Sequence, residues 1–556
     1  MRLRPAHALP ASLLHSLSRR GRQTTGGVRL PHPGRRQGPA RRALRAEGHH
    51  ACRRTTTVHD GDTTTVIPPK GGTATTTLVD ALGRVVEKRA YTNEARTAHQ
   101  STTYTYNHRG NLAAMTAPDG TEWSWEYDAR GREITADDPD KGTSSTTYDE
   151  ADRPVTTTDA RGTTLTTSYD ALGRPTELKQ GSTTRAAWTY DTVAKGQPSS
   201  DPRYLDGESW TNSVTAYNDR YQPTATKTVI PSTAKSVAGT YSWTHGYNQY
   251  IGLPEWTLNP AIGNLPNVLT AGSVTLVNKT SYDFFARPVR VELGNLGQRV
   301  YDTRSYDEHT GELTRRTVDG DIALRIQDTR YGYDDAGNTK RISSTEGQDA
   351  AAVTDTQCFA IDALGRLTDA YTAKNADDTC AKAPTAATVG GPDSYWHSYS
   401  YDATGNRTQE IQHPTGGASG QVTRAFATDA DAAEQPHAIR SVTTTGGTAA
   451  GTESFTYDKA GNTTSRTGGP RPLEYTWDAE GHLATVTENG KKTEYAYDSA
   501  GQRILAANAD GSTTAYLPGG NELKVSASGT ATAQRRSTDC GTSAEAQARG
   551  PAAAIP

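Results

Sequence analysis

Short stretches dominated by threonine, tyrosine, valine and tryptophan recur along the chain, and a polar turn separates each from the next. TTLTTSY ends at Tyr169 and WSWEY ends at Tyr127, and an aspartate follows each of these tyrosines. Branched and aromatic side chains fit a pleated strand and disfavour a helix. The pattern therefore predicts strands that end at a tyrosine, with very little helix.

The turn after each tyrosine has a fixed order of residues. Asp170 and Gly173 stand three positions apart, which suits a type I turn followed by a glycine bulge. Such a turn joins two antiparallel strands, so each unit predicts one β-hairpin. Arg174 follows the turn and is placed to pair with an acidic neighbour or to lie over an aromatic ring. Because one hairpin is marginally stable in water, the hairpins are expected to stack on one another.

The unit recurs at a fixed step, which indicates a repeat protein. YDARGR, YDEADR and YDALGR begin 21 residues apart, and the same step continues outward to Tyr106 and Tyr190. The residues predicted to build the turns are Tyr127, Asp128, Gly131, Arg132, Tyr148, Asp149, Tyr169, Asp170, Gly173, Arg174, Tyr333, Asp334, Gly337, Asp362, Gly365, Arg366, Tyr401, Asp402, Gly405, Tyr457, Asp458, Gly461, Trp477, Asp478, Gly481, Tyr497, Asp498 and Gly501.

The unit Y-D-x-x-G-R resembles the YD repeat of the Rhs and wall-associated polymorphic-toxin proteins of bacteria, which are related to the repeats of teneurins. Further matching text is VDALGR (79–84), YNHRGN (106–111), YDDAGN (333–338), IDALGR (361–366), YDATGNR (401–407), YDKAGN (457–462), WDAEGH (477–482) and YDSAGQR (497–503). The resemblance implies an all-β fold in which consecutive antiparallel hairpins form a curled sheet, part of an open Rhs-type shell.

The same resemblance implies a structural function. In the intact family the shell encloses and presents a C-terminal toxin in bacterial competition, and the protein is extracellular or lies on the cell surface. The family's D-P-x-G-rich core segment and toxin do not occur before Pro556. The expected role is therefore a shell or scaffold segment, whose partner in an intact homologue is its own or an adjacent toxin cargo.

Spacing and composition divide the chain into seven segments. Residues 1–54 hold thirteen arginines, no lysine and one glutamate, although the whole chain has a net charge of −3. This arm lacks any strand or helix period, so we expect a disordered, out-of-frame stretch with neither a signal peptide nor a nucleic-acid site. The other predicted segments are regular repeats (55–200), degenerate repeats with an insertion (201–281), repeats with longer loops (282–407), a mobile loop-rich segment (408–450), regular repeats (451–525) and a disordered tail (526–556).

Composition and motifs narrow the function further. The chain has 27 tyrosines against 5 phenylalanines and is 33% hydrophobic, which suits a thin sheet better than a compact globule. It contains no apolar stretch of membrane-spanning length, and none of the common motifs for metalloproteases, serine hydrolases or phosphate binding. We therefore expect no enzyme activity, cofactor or metal. Asp137, Asp138 and Asp140 form an acidic turn that either is solvated or binds calcium.

Two clusters leave alternatives open. Cys358 and Cys380 either form a disulfide or are two unrelated thiols. Trp243, Tyr247, Tyr250 and Trp256 either form a platform for stacking on sugar rings or cover the sheet. The platform would make the protein a carbohydrate-binding or adhesion module with glycan partners, which is the main alternative function. An enzyme within residues 201–281 is the third hypothesis.

Overall fold

A computed structural model describes residues 53–262, 276–294, 296–322, 324–415, 420–429 and 434–536. Strands make up 56% of the structure and helix 2%, and the strands form one open antiparallel sheet. The helix consists of two short 3₁₀ segments at Ser232–Val237 and Asp349–Ala351. The predicted all-β fold of consecutive hairpins is confirmed.

The first sixteen strands span the regular repeats and the start of the degenerate segment. They are β1 Thr56–Asp60, β2 Thr63–Ile67, β3 Thr75–Val79, β4 Val85–Tyr91, β5 His99–Tyr106, β6 Leu112–Thr116, β7 Glu122–Tyr127, β8 Glu133–Asp138, β9 Gly142–Tyr148, β10 Pro154–Thr158, β11 Thr164–Tyr169, β12 Pro175–Gln180, β13 Thr183–Ala187, β14 Thr189–Tyr190, β15 Pro198–Leu205 and β16 Glu208–Tyr217.

The next thirteen strands run through the middle of the chain. They are β17 Pro223–Ile230, β18 Gly239–Tyr247, β19 Pro254–Leu258, β20 Val277–Tyr282, β21 Pro288–Leu293, β22 Val300–Tyr306, β23 Leu313–Gly320, β24 Leu324–Tyr333, β25 Thr339–Glu346, β26 Val353–Ile361, β27 Leu367–Thr372, β28 Trp396–Tyr401 and β29 Arg407–Gln412.

The last strands complete the described chain. They are β30 Val422–Thr428, β31 Ile439–Thr445, β32 Gly451–Tyr457, β33 Thr463–Thr467, β34 Leu473–Trp477, β35 Leu483–Glu488, β36 Lys491–Tyr497, β37 Arg503–Ala507, β38 Thr513–Leu517, β39 Asn521–Val525 and β40 Ala531–Arg536.

Each strand pairs with the next one along the chain, as in β10 with β11 and β11 with β12. β13 and β14 together act as one interrupted strand, because both pair with β15. Short connections between sequence neighbours favour such a meander. The pairing register shifts by one residue just before Tyr127 and Tyr169, which is the bulge expected of the Asp-Gly turn.

A meander places its turns alternately on two edges. The Tyr-Asp turns, such as 128–132, 149–153 and 170–174, lie on one edge, which we call the YD edge. The turns between them, such as 117–121 and 159–163, lie on the other, which we call the return edge. A YD turn and the turn that follows it therefore belong to different edges throughout the sheet.

The sheet buries few side chains completely, except in one main cluster. Trp243, Ile230 and Val237 pack there with Leu523 and Val525, so β17, β18 and the helix between them contact β39. A smaller cluster surrounds Cys358 and Tyr371. The segment 201–281, predicted to be degenerate with an insertion on one edge, thus supplies much of the main core.

The described residues add three observations to the predicted segments. Segment 408–450, predicted to be mobile and loop-rich, contains the paired strands β30 and β31. The tail predicted to be disordered from residue 526 begins with a turn and β40, which pairs with β39. Arg53, assigned to the basic arm, binds Glu312 through its guanidinium. The sequence did not indicate the strands of the first two segments, because they are rich in threonine and alanine and have weak turn signals. Residues 1–52 of the arm and 537–556 of the tail lie outside the described residues.

Candidate functional site

Each YD turn is held by the side chain of its aspartate. Asp128 accepts hydrogen bonds through Oδ1 from the backbone N–H groups of Arg130 (2.8 Å) and Arg132 (3.0 Å). Its Oδ2 accepts the Nε–H of Arg132 at 2.7 Å. These backbone bonds, followed by the Arg132 side-chain bond, keep the pKa of Asp128 below its usual value. Gly131 closes the turn with a φ of 79°, the left-handed conformation that glycine tolerates best.

The arginine of one turn binds the next turn. The Arg132 guanidinium lies 4.7 Å from the ring centroid of Tyr148, and its Nη1 donates to the carbonyl oxygen of Asp149 at 3.0 Å. The Tyr148 hydroxyl donates back to the carbonyl oxygen of Glu133 at 2.7 Å. We call this set of three contacts the corner tie. In this geometry the aspartate and glycine form the turn and the arginine lies over the next tyrosine ring, while the tyrosine hydroxyl adds a contact that the sequence analysis did not include.

The corner tie recurs along the YD edge. Arg153 lies 4.8 Å from the Tyr169 ring and Arg174 lies 4.3 Å from the Tyr190 ring. Where asparagine replaces arginine, as in Asn338 and Asn462, the amide binds the aspartate of its own turn, and that of Asn338 also donates to the carbonyl oxygen of Gly71. The tyrosine hydroxyl contact remains in these turns, as between Tyr457 and the carbonyl oxygen of Ile439.

The later YD turns also contact the return edge of the earlier strands. We call this contact the seam. Its residue pairs are separated in sequence by 259 to 318 positions. The pairs are Arg53 with Glu312, Gly71 with Asn338, Asp119 and Asp140 with His437, Arg161 with Asp478, Arg203 with Glu480, Asp201 with Ser499 and Asn259 with Asn521. Pairs formed by later residues of the first half are formed with later residues of the second half. The sheet therefore coils, so that its later strands, the second pass, lie against its earlier strands, the first pass.

The two passes approach each other closely at two glycines of the seam. A Cβ on Gly461 would lie 2.6 Å from the carbonyl oxygen of Asp140, and one on Gly71 would clash with Asp334. In several seam turns, the residue after the glycine is asparagine, histidine or glutamine rather than arginine, as at Asn462, His482 and Gln502. The residue after the glycine thus distinguishes seam turns from most of the turns in the first pass.

A buried ionic cluster lies at the centre of the seam. Arg203 is 1% exposed, and its Nη1 lies 2.6 Å from the Glu480 carboxylate. Arg185 lies 3.5 Å from the same carboxylate, and Arg161 donates to the carbonyl oxygen of Asp478 at 2.9 Å. The bond to the Asp478 carboxylate helps raise the pKa of His482 above its usual value, against the effect of burial. The cluster joins two strands and one turn of the first pass to one turn of the second.

His437 bridges two turns of the return edge. Its Nδ1 lies 2.6 Å from Asp140 and its Nε2 lies 2.9 Å from Asp119, while its ring stacks on Trp123. Two acceptors on one imidazole require both nitrogens to carry protons, which is the charged form. Burial lowers the pKa of His437, but the bonds to Asp140 and Asp119 outweigh it and raise the pKa above its usual value.

We predict that the seam weakens as the pH rises. The raised pKa of folded His437 means that its contribution is complete below the pKa of an unfolded histidine, about 6.5, and is lost as the pH rises through the higher folded value. Hydrogen exchange of residues 119–121 and 435–438 should therefore become faster, after correction for intrinsic rates, as the pH rises from about 6.5 through the folded pKa of His437. The corrected exchange of His437→Gln should not change over this interval, and an unchanged wild type would contradict the assignment.

The structure joins Cys358 and Cys380 by a disulfide. Cys358 lies on β26 and is completely buried, and Cys380 lies in the connection between β27 and β28. Tyr371, Ala373 and Val389 pack around the two sulfurs. Asp378 lies within 4.8 Å of both. The bond therefore holds the connection against the sheet.

Replacing both cysteines by alanine should lower the free energy of unfolding by about 3 kcal/mol, the chain-entropy value for a loop of this size. The effect should be local, so hydrogen exchange should increase most in residues 374–395. Reduction of the wild type should reproduce this increase. Equal exchange in oxidised and reduced protein would show that the bond does not hold the connection.

The proposed sugar platform does not form an exposed surface, which corrects that alternative. Trp243 is 2% exposed and lies inside the main core. Tyr247 is a corner tyrosine whose hydroxyl donates to the carbonyl oxygen of Pro223. Trp256 packs against Gly246, and only Tyr250 of the four is largely exposed. The alternation of β18 turns Trp243 towards the core, because that face contacts the C-terminal strands.

The acidic turn at 137–142 belongs to the seam. Asp140 binds His437, Asp138 caps its own turn by accepting the backbone N–H of Asp140, and Asp137 accepts the hydroxyl of Thr143. The carboxylates therefore bind protein donors. The histidine partner of this turn could not be predicted from the sequence, because 297 positions separate Asp140 from His437.

Family comparison agrees with the geometry of the corners. The RHS Repeat model matches residues 79–122, 106–143, 148–185 and 477–513. These segments contain regular YD turns from both passes of the sheet. No curated protein sequence matches the chain.

Solved structures share the fold. The crystal structure of TcdB2-TccC3 matches with a TM-score of 0.62 at 15% identity, over 87% of this chain and 26% of that one. A crystal structure of TcdB2-TccC3 without the hypervariable C-terminal region matches with a TM-score of 0.63 at 15% identity, over 86% and 26%. The Tc holotoxin pore of Photorhabdus luminescens with TccC3-D651A matches with a TM-score of 0.61 at 16% identity, over 87% and 26%. The chain thus spans about a quarter of the length of these structures.

Consecutive hairpins joined by corner ties define a repeat protein built as one coiled sheet. The matched segments of this sheet are similar to RHS repeats. The chain shares its fold with the solved TcdB2-TccC3 structures. Within the described ranges, no helix has the length and apolar character of a membrane span.

Proposed function

We propose that this protein is a wall segment of an Rhs-type shell that encloses and presents a polypeptide cargo. The proposal rests on the seam, because the seam brings the second pass of the sheet against the first. A globular protein needs no such contact between successive passes of one sheet. Sequestration depends on the geometry of the wall, so no catalytic step is part of this function.

The similar structures support a toxin as the cargo. One of them is a Tc holotoxin pore, and another is a TcdB2-TccC3 structure without a hypervariable C-terminal region. The cargo proposed for this protein is therefore a C-terminal or adjacent toxin, and the proposed location is extracellular or on the cell surface. The disulfide agrees with that location, because disulfides persist in oxidising compartments.

Protease protection tests this proposal. An unstructured reporter polypeptide is fused after Pro556, and its digestion is compared with that of the same polypeptide added in trans. We expect at least a tenfold slower digestion of the fused reporter. The matched control combines His437→Ala with Asp140→Ala, which removes seam contacts and should restore fast digestion. Equal rates for the fused and separate reporters would overturn the enclosing function.

A carbohydrate-binding or adhesion role has less support, because Trp243 is buried. The exposed Tyr250 is the residue of the original cluster on which glycan stacking would depend. A glycan array with the wild type and Tyr250→Ala separates the two functions. We expect no saturable binding, whereas binding that Tyr250→Ala removes would favour the carbohydrate function.

A further inference from the structure

Three neighbouring turns of the YD edge expose large apolar side chains. Phe284 and Phe285 are 98% and 71% exposed, Tyr250 and Ile251 are 81% and 52% exposed, and Tyr221 is 56% exposed. We call these five residues the YD-edge strip. Their turns are adjacent, because Arg220 donates to the carbonyl oxygen of Gln249 at 2.8 Å and Tyr282 donates to that of Pro254.

Two of the three turns that carry this strip contain a residue in an unfavourable backbone conformation. Tyr221 and Ala286 occupy the turn position that glycine takes elsewhere, with φ values of 58° and 62°. A left-handed conformation costs a residue with a side chain on the order of 1 kcal/mol. The bulky Tyr221 ring is therefore retained at a position where glycine would be more stable.

A second apolar strip lies on the return edge. Leu296 and Ile322 are each 80% exposed, and Leu324, Ile326 and Val353 are 65%, 40% and 53% exposed. We call these residues the return-edge strip. Their turns are also adjacent. The Gly297 N–H donates to Asp321 at 3.0 Å, and Gln348 donates to the carbonyl oxygen of Arg325 at 2.8 Å.

Neither strip is covered by the seam in the described residues. The first seam turn is 307–312, which follows directly after the three turns of the YD-edge strip. The return-edge turns that the seam covers belong to residues 53–262, which precede the return-edge strip. Contiguous exposed apolar side chains of this size mark interaction sites more often than single exposed residues do.

We propose that the YD-edge strip of one copy of this chain binds the return-edge strip of a second copy. The seam indicates which two edges pair in this contact, because at the seam the YD edge of the second pass contacts the return edge of the first. Two strips of five large side chains would bury on the order of 1,200 Å² in total, which reaches the lower limit for a specific interface. The contact joins different surfaces, so it leaves one free strip at each end and extends head to tail.

The test uses two sets of substitutions and a matched control. The first variant combines Tyr221→Gly, Phe284→Ser and Phe285→Ser, and its Tyr221→Gly change also removes the left-handed tyrosine. The second combines Leu296→Ser, Ile322→Ser and Leu324→Ser. The control combines Leu82→Ser with Leu172→Ser, because these leucines are 77% and 76% exposed at the same turn position as Phe285 but lie outside both strips.

Sedimentation equilibrium over a wide concentration range should show self-association of the wild type and of the control. Each strip variant alone should be monomeric, with at least a tenfold weaker association. An equimolar mixture of the two variants should form dimers and nothing larger, because only one complementary pair of strips remains. Matching circular dichroism spectra and unfolding midpoints would exclude misfolding as the cause.

Other outcomes overturn the proposal. A wild type that stays monomeric shows that the strips do not bind each other. Full association of either strip variant shows that its strip is not used. If the YD-edge variant loses the dimer and the return-edge variant keeps it, the contact is a symmetric one between two YD-edge strips. Association with neutral lipid vesicles in place of self-association would assign the strips to a membrane surface.

Discussion

Replacing Trp243 by alanine should lower the free energy of unfolding by about 3–5 kcal/mol, as removing a fully buried aromatic side chain does. Trp243 is 2% exposed within the cluster that joins β17 and β18 to the C-terminal strands. Its loss should leave a cavity between the two passes of the sheet. Urea unfolding followed by circular dichroism measures the change.

Tyr250→Ala is the matched control, because Tyr250 comes from the same aromatic group but is 81% exposed. Its effect on stability should be within about 0.5 kcal/mol, as for most surface substitutions. A Trp243→Ala protein as stable as the wild type would contradict the placement of the ring. Loss of glycan binding without loss of stability would instead support the sugar platform.

Arg203→Ala should cost about 3–5 kcal/mol, because it leaves the buried Glu480 carboxylate without its closest cation. The double variant Arg203→Met with Glu480→Leu should recover much of this loss, since it removes both members of the closest ion pair while Arg185 keeps the Asp478 carboxylate at 3.8 Å. Unfolding midpoints of the three proteins measure both effects.

The exposed pair Arg130 and Asp152 provides the control for Arg203. Its side chains are 57% and 58% exposed and lie 2.9 Å apart. Such a surface pair contributes about 0–1 kcal/mol, so Arg130→Ala should change the midpoint little. Equal effects of Arg130→Ala and Arg203→Ala would show that the seam cluster is solvated rather than buried.

The local structure of each repeat could be predicted from sequence because its determinants lie within a few residues. Asp170, Gly173 and Arg174 determine the turn, and the threonine- and tyrosine-rich flanks determine the strands. The disulfide of the structure was one of two alternatives for the cysteines. The tyrosine hydroxyl contacts join successive turns, and the regular spacing of the tyrosines was the signal for them.

The seam could not be predicted in this way, because its partners are separated by 259 to 318 positions. Which turns meet depends on how strongly the sheet twists and curves over many strands, and small changes in each hairpin accumulate. One partial signal was present. Asparagine, histidine or glutamine replaces arginine at Asn338, Asn462, His482 and Gln502, where the second pass contacts the first.

In the degenerate segment, apolar burial takes the place of much of the repeat pattern. Residues 201–262 lose the Asp-Gly turn but gain Trp210, Ile230, Tyr241 and Trp243, which are all buried. These side chains pack face to face with the C-terminal strands, so apolar burial replaces the corner tie there. Burial against a segment almost 300 residues away has no local sequence signal.

The central claim is that the sheet coils so that its second pass seals against its first. Cross-linking of native lysines with an amine-specific reagent tests it directly. Lys141 and Lys459 are both exposed, and a Cβ on Gly142 would lie 2.9 Å from the carbonyl oxygen of Lys459. We expect an intramolecular Lys141–Lys459 cross-link in the monomer fraction, weakened by His437→Ala with Asp140→Ala. Cross-links confined to neighbouring hairpins, with none between these two lysines, would contradict the coiled wall.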